Sequence, residues 1–164
     1  MLGSFKKAIF GVLCLCCVLI GGGGGGLMAG PTHEELFDRG EDIINFALKG
    51  GGGTFRADSL EAKEYYIQAK EYFEKACELN NGGGCNGLGV LYKDGQGVEK
   101  DLTKAAYLYS RACELKDGWG CSFLGALYYN GDGVKQDSKK AVALFEKACK
   151  LGYKKACEML KLLR

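Results

Sequence analysis

Six cysteines in the body of this 164-residue chain fall as Cys77/Cys85, Cys113/Cys121 and Cys149/Cys157, the members of each pair eight positions apart and successive pairs 36 positions apart. Thiols in such a pattern can form a disulfide, hold a metal or act as a nucleophile. On one unbroken helix, positions eight apart are separated by about 12 Å along the axis, whereas a disulfide keeps its α carbons within about 7 Å. A reversal must therefore lie inside each pair. The sequence supplies one in Asn80-Asn-Gly-Gly-Gly84 and again in Lys116-Asp-Gly-Trp-Gly120. Of the formal connectivities, local pairing is preferred, because the repeat places each pair across its own hairpin; each staple then stabilises the fold by roughly 2.5 kcal/mol in the chain-entropy picture. Zinc is the rival reading. Structural zinc sites favour cysteines two to four residues apart with a second pair close by, and the single histidine, His33, precedes the whole cysteine region. A catalytic thiol needs a histidine base, and His33 is again the only one. No metal or cofactor is expected, and no catalytic residue is assigned.

The remaining three cysteines, Cys14, Cys16 and Cys17, sit in a segment of another kind. Lys6 and Lys7 precede Ala8–Ile20, an uncharged run too short to span a bilayer as a helix and suited to the apolar region of an export signal. Residues 1–29 are therefore read as a signal peptide. A retained membrane anchor or a lipid anchor are the alternatives, and none of the three cysteines has the small preceding residue that lipid attachment needs. Removal of this segment leaves six cysteines and 20 basic against 20 acidic side chains. An even cysteine count in an exported chain points to an oxidising compartment, secreted or periplasmic. The near-zero charge gives no basis for nucleic-acid binding.

The elements that must position the pairs follow from a strict repeat. Residues 76–111 recur at 112–147 with 18 of 36 positions identical, and a period in the thirties denotes stacked helical hairpins. Leu88, Leu91 and Tyr92, echoed by Leu124, Leu127 and Tyr128, mark a first helix over about 84–94. Ala105, Leu108, Tyr109 and Ala112, echoed by Ala141, Leu144, Phe145 and Ala148, mark a second over about 102–115. Gly89 and Gly125 recur inside the first helix, which predicts a close approach of the partner helix. Between the helices, Gly95/Gly97 and Gly131/Gly133 permit a tight reversal, Val98 and Val134 tuck the loop inward, and Asp101 and Asp137 cap the second helix. A phosphate-cradling role for these glycines lacks the preceding strand and lysine it would need. Upstream, 61–79 matches the second helix, with 34–48 as its partner and Ile43, Ile44 and Ala47 as core. Residues 30–59 are thus an atypical N-terminal helix and glycine-rich connection, 60–152 the 36-residue repeats, and 153–164 a C-terminal capping helix. The glycine runs at 21–26, 50–53 and 82–84 read as flexible linker or as a departure from the natural sequence, and no function is assigned to them.

The run Ala-Cys-Glu-Leu-x-x-Gly-x-Gly-Cys-x-x-Leu-Gly-x-Leu-Tyr-x-x-Gly-x-Gly-Val-x-x-Asp, read at 76–101 and 112–137, resembles the Sel1-like repeat, an α/α relative of the tetratricopeptide repeat. The added cysteine pair is similar to that of the Helicobacter cysteine-rich protein branch. The resemblance covers residues 60–164 well and 33–59 weakly. It implies an all-α, right-handed α/α solenoid of disulfide-linked repeats, and a family labelled both as weak β-lactamases or penicillin-binding proteins and as host-interacting antigens. The sequence departs from the pattern at Gly83 and Gly87, where the next repeat has Trp119 and Phe123, which bears on the packing of that unit.

Serine β-lactamases carry S-x-x-K with S-D-N and K-T-G elements. The one S-x-x-K here is Ser4-Phe-Lys-Lys7, inside the expected signal, and the other two elements are absent. β-Lactam hydrolysis therefore rests on the resemblance alone. A binding role rests on the curvature of helical-hairpin solenoids, whose first helices line a concave surface. Asn86, Lys93, Ser122, Tyr129 and Asn130 are the expected exposed contacts there, for a peptide, a muropeptide or a host protein, with β-lactams as a further ligand class and a monomer as the assembly. Trp119 is expected to pack over the Cys113–Cys121 staple, with ligand stacking as the alternative.

Overall fold

The structure, a computed structural model, describes residues 30–50, 56 and 58–163. The expected export segment and most of the 50–53 glycine run lie outside these residues. Among the described residues seven helices follow one another: α1 His33–Leu48, α2 Leu60–Glu78, α3 Gly82–Asp94, α4 Leu102–Glu114, α5 Gly118–Asn130, α6 Ser138–Lys150 and α7 Lys154–Leu163. There is no strand among the described residues. Each helix packs on the next, so α1/α2, α3/α4 and α5/α6 form the stacked hairpins the repeat predicts, with α7 against α6, in the right-handed α/α solenoid the family resemblance implies.

Local chemistry sets the start of the first six helices. The Thr32 hydroxyl accepts from the Glu35 N–H while the Glu35 carboxylate accepts from the Thr32 N–H, a capping box that starts α1. Ser59, Asn81, Asp101, Asp117 and Asp137 each accept the backbone N–H three residues on. The two aspartates expected to cap second helices, Asp101 and Asp137, do so at 2.9 and 3.0 Å. Gly95 and Gly131 end α3 and α5 in the left-handed conformation, φ 71° and 80°, where a side chain is disfavoured.

The glycines at 82–84 differ from expectation. They form the first turn of α3 rather than a linker, because Gly84 lies so close to α2 that a Cβ there would stand 2.6 Å from the Ala76 Cβ. The reversal is made one step earlier, by a left-handed residue at one register of every repeat: Asn80 (φ 63°), Lys116 (φ 65°) and Gly152 (φ 92°).

The second helices face inward as their periodicity predicts. Ala105, Leu108, Tyr109 and Ala112 are buried, as are Ala141, Phe145 and Ala148, with Leu144 partly so. The glycines inside first helices make room for aromatic rings: a Cβ on Gly89 would lie 2.6 Å from the Tyr109 ring, and one on Gly125 3.1 Å from the Phe145 ring. Val98 and Val134 pack on the core from their loops. In α1, Ala47 is buried while Ile43 and Ile44 are partly covered at the edge of the first cluster.

Candidate binding face and disulfide staples

All six cysteines are joined as their spacing predicts. Cys77–Cys85, Cys113–Cys121 and Cys149–Cys157 tie the end of each second helix to the start of the next first helix, with α carbons 4.6, 4.5 and 4.9 Å apart. Their thiols are committed to bonds, so the zinc reading falls away.

The first helices form the inner side of the solenoid. α1 touches α3 and α3 touches α5, whereas second helices make no contact of comparable extent with one another, so the array bends toward its first helices. Of the five expected contacts, Tyr129 and Asn130 are exposed at the end of α5. The Tyr129 carbonyl accepts from Gln136 at 2.8 Å, and the Asn130 amide donates to Asp132 at 3.1 Å. Lys93 is partly covered, paired with Asp94 at 2.9 Å and 6.0 Å from the centroid of the Phe123 ring. Ser122 is a correction: it is buried, at 8% exposure. It lies one turn before Ala126, which packs on the α6/α7 cluster, so this helical phase faces the next repeat instead of solvent. Asn86, at the same register one repeat earlier, is half-buried, and its Oδ1 is sealed from solvent with no donor among the described residues.

An aromatic run accompanies these residues. Trp119 stands 4.4 Å from Tyr153 and 6.1 Å from Phe123 between ring centroids, and Phe123 stands 5.3 Å from Tyr109. Trp119 nonetheless keeps 49% of its surface exposed. Phe123 follows Trp119 by one helical turn because α5 starts at Gly118, ahead of the expected first-helix start. Tyr153 was not legible in the sequence, because it enters from the turn before α7, close over Gly118: a Cβ on Gly118 would lie 3.2 Å from that of Tyr153.

Two ionisable groups beneath this face are shifted by burial. The Tyr109 hydroxyl is held well above the ordinary tyrosine range, chiefly by desolvation and further by the Asp94 carboxylate, and no group among the described residues bonds to it. Asp117 is raised by desolvation, opposed by the N–H groups of Gly120 and Trp119; Gly120 donates to it at 2.6 Å.

The Sel1 repeat family matches residues 46–81, 83–117 and 120–153. The chain is 44% identical over 105 residues to the Helicobacter pylori protein named beta-lactamase HcpA, covering 64% of this chain and 34% of that one. It is also 44% identical over 104 residues to the putative beta-lactamase HcpC of H. pylori, covering 63% of this chain and 29% of that one. The chain thus spans about a third of the length of these curated relatives. Among solved structures, H. pylori cysteine rich protein B is matched with a TM-score of 0.56 at 36% identity, over 80% of this chain and 98% of that one. A protective antigen of uropathogenic Escherichia coli, c5321, is matched with a TM-score of 0.61 at 28% identity, over 78% of this chain and 25% of that one. With its three repeats, its solenoid and a disulfide in each repeat, the chain belongs to the Sel1 repeat family, in the branch of the Helicobacter cysteine-rich proteins.

Proposed function

We propose that this protein works outside the cytoplasm, secreted or periplasmic, as a disulfide-stapled scaffold whose first-helix face holds an extended peptide: the stem peptide of a muropeptide or a segment of a host protein. The observation that carries this reading is the aromatic run at Trp119. A half-exposed indole held between two other rings is a preorganised apolar platform, and aromatic anchors of this kind dominate the energetics of peptide and protein recognition. Asn86, Lys93, Tyr129 and Asn130 supply amide, ammonium and hydroxyl groups for the backbone of such a ligand.

The reading is tested with a purified muropeptide mixture by calorimetric titration. Trp119→Ala is expected to weaken binding by roughly 10-fold or more with a partial loss of stability, because its ring packs on Tyr153 and Phe123, and Tyr129→Ala to weaken it less with thermal stability little changed. Tyr128→Ala serves as the control, because that ring is partly buried among the last two clusters and under Lys140, so it should lower stability. Unaltered affinity in the Trp119 and Tyr129 variants would overturn the assignment. β-Lactam hydrolysis is carried by the names of HcpA and HcpC; here the S-x-x-K at 4–7 lies outside the described residues. Strong nitrocefin turnover by the same preparation would displace the binding reading.

A further inference from the structure

The second helices form the outer side of the bend, and they differ in charge. α2 carries five acidic against three basic residues, α4 one against two, and α6 one against four. Charge thus climbs along the outer side from negative through near neutral to positive, and α1 strengthens the negative end with five acidic residues against one arginine. The groups that set this gradient stand in solvent: Glu71 and Glu78 on α2, and Lys139, Lys140, Lys147 and Lys150 on α6. None of these four lysines forms an ion pair among the described residues. Between the two ends Tyr107 of α4, at the register of Glu71, keeps 62% of its surface exposed. The face is separate from the surface by which hairpins stack. Glu71 and Glu78 stay exposed with α3 and α4 packed after them, and Tyr107 and Glu114 stay exposed with α5 and α6 packed after them, so this register points outward whatever hairpin follows.

We propose that the outer face pairs with that of a second copy of the chain about a two-fold axis through α4, in place of the monomer expected from the sequence. The axis sets α2 of one protomer opposite α6 of its partner, twice over, and brings the Tyr107 ring against its own symmetry mate. A parallel arrangement would oppose like charges, so the gradient fixes the orientation. The near-zero charge of the folded repeats lets two copies approach without mutual repulsion as wholes. Because the face is convex, the copies come closest at α4 and the flanking charges act across a thin layer of solvent. The pair is therefore weak and salt-sensitive, and it leaves the Trp119 face of each protomer turned outward.

Sedimentation velocity of the oxidised protein over a concentration series tests this. A reversible dimer is expected, with a dissociation constant that rises roughly 10-fold or more between about 0.1 M and about 1 M salt, as the Debye length falls from about 10 Å to about 3 Å. Glu71→Lys/Glu78→Lys and Lys139→Glu/Lys147→Glu should each sediment as a monomer with unchanged circular dichroism, since like charges then meet at both ends. Mixed in equal amounts, the two variants should pair with each other, because each end again faces its opposite. A parent protein that is monomeric at low salt overturns the proposal, as does a dimer that high salt leaves intact or a mixture that fails to pair. A monomeric parent retained on heparin through the same lysines would give the face to a polyanion instead.

Discussion

Helices α3 and α5 hold the same place in successive repeats, with Leu88, Gly89, Leu91 and Tyr92 in one answering Leu124, Gly125, Leu127 and Tyr128 in the other, yet they present different surfaces. Where α5 carries Trp119 and Phe123, α3 carries Gly83 and Gly87. The space is not left open. Phe37 of α1 lies where a Cβ on Gly83 would be 2.8 Å from its ring, and Phe73 of α2 lies 2.9 Å from a Cβ on Gly87, the two rings 6.1 Å apart. The upstream hairpin thus lends its aromatics inward to fill a glycine-lined helix, while the downstream helix keeps its own and shows one of them to solvent. Equivalent backbone slots can therefore be packed equally well and still differ in what they offer a ligand.

The largest test of this contrast removes the lent ring. Phe73 is 1% exposed and sits against Gly40 as well as Gly87, so Phe73→Ala should cost roughly 3–5 kcal/mol, measurable by denaturant unfolding. Should the loss stay under 1 kcal/mol, the glycine-lined unit is not held by borrowed aromatics. Next come the glycines inside the helices. Gly89→Ala forces a methyl to 2.6 Å from the Tyr109 ring, and Gly125→Ala brings one to 3.1 Å from the Phe145 ring. The first should destabilise by roughly 1–3 kcal/mol through overpacking and the second by clearly less; the reverse order would break the account of how α3 and α5 approach their partners.

Tyr109 is the smaller, opposite case. Its counterparts in the other hairpins are Phe73 and Phe145, and its hydroxyl is buried without a partner. Tyr109→Phe should raise stability by about 1 kcal/mol, since an unpaired hydroxyl loses its hydration for nothing in return. A drop in melting temperature would show that the hydroxyl has an unrecognised bond.

The smallest effect concerns the caps. α3 is capped by Asn81 and α5 by Asp117. Because the folded Asp117 carboxyl is raised above its ordinary 3.8, the native state binds the proton more tightly than the unfolded chain. Its contribution to stability is therefore full below pH 3.8 and is lost as pH rises through the raised value. Asp117→Asn keeps the cap, as Asn81 does one repeat earlier, and should flatten that part of the pH profile, read by thermal melts from pH 3 to 7. An unchanged profile would mean that another group titrates there.

The repeat period, the apolar faces of the helices, the Asp101 and Asp137 caps and all three cysteine pairs were legible because each is written in local spacing. What was not legible came from contacts between repeats. Ser122 looks exposed on a helical wheel and is buried because its phase faces α6 and α7. Gly82–Gly84 look like linker and are helix because Ala76 demands a close approach. Tyr153 joins Trp119 from the turn before α7, passing close over Gly118, where a Cβ would stand 3.2 Å from its own.

Trp119 is the one tryptophan in the chain, so its emission reports on the proposed platform alone. Titrating the oxidised protein with purified muropeptides should shift or quench that emission saturably, with the same midpoint that calorimetry gives. Binding that calorimetry detects while the tryptophan emission stays unchanged would place the ligand elsewhere and contradict the assignment of the α5 face.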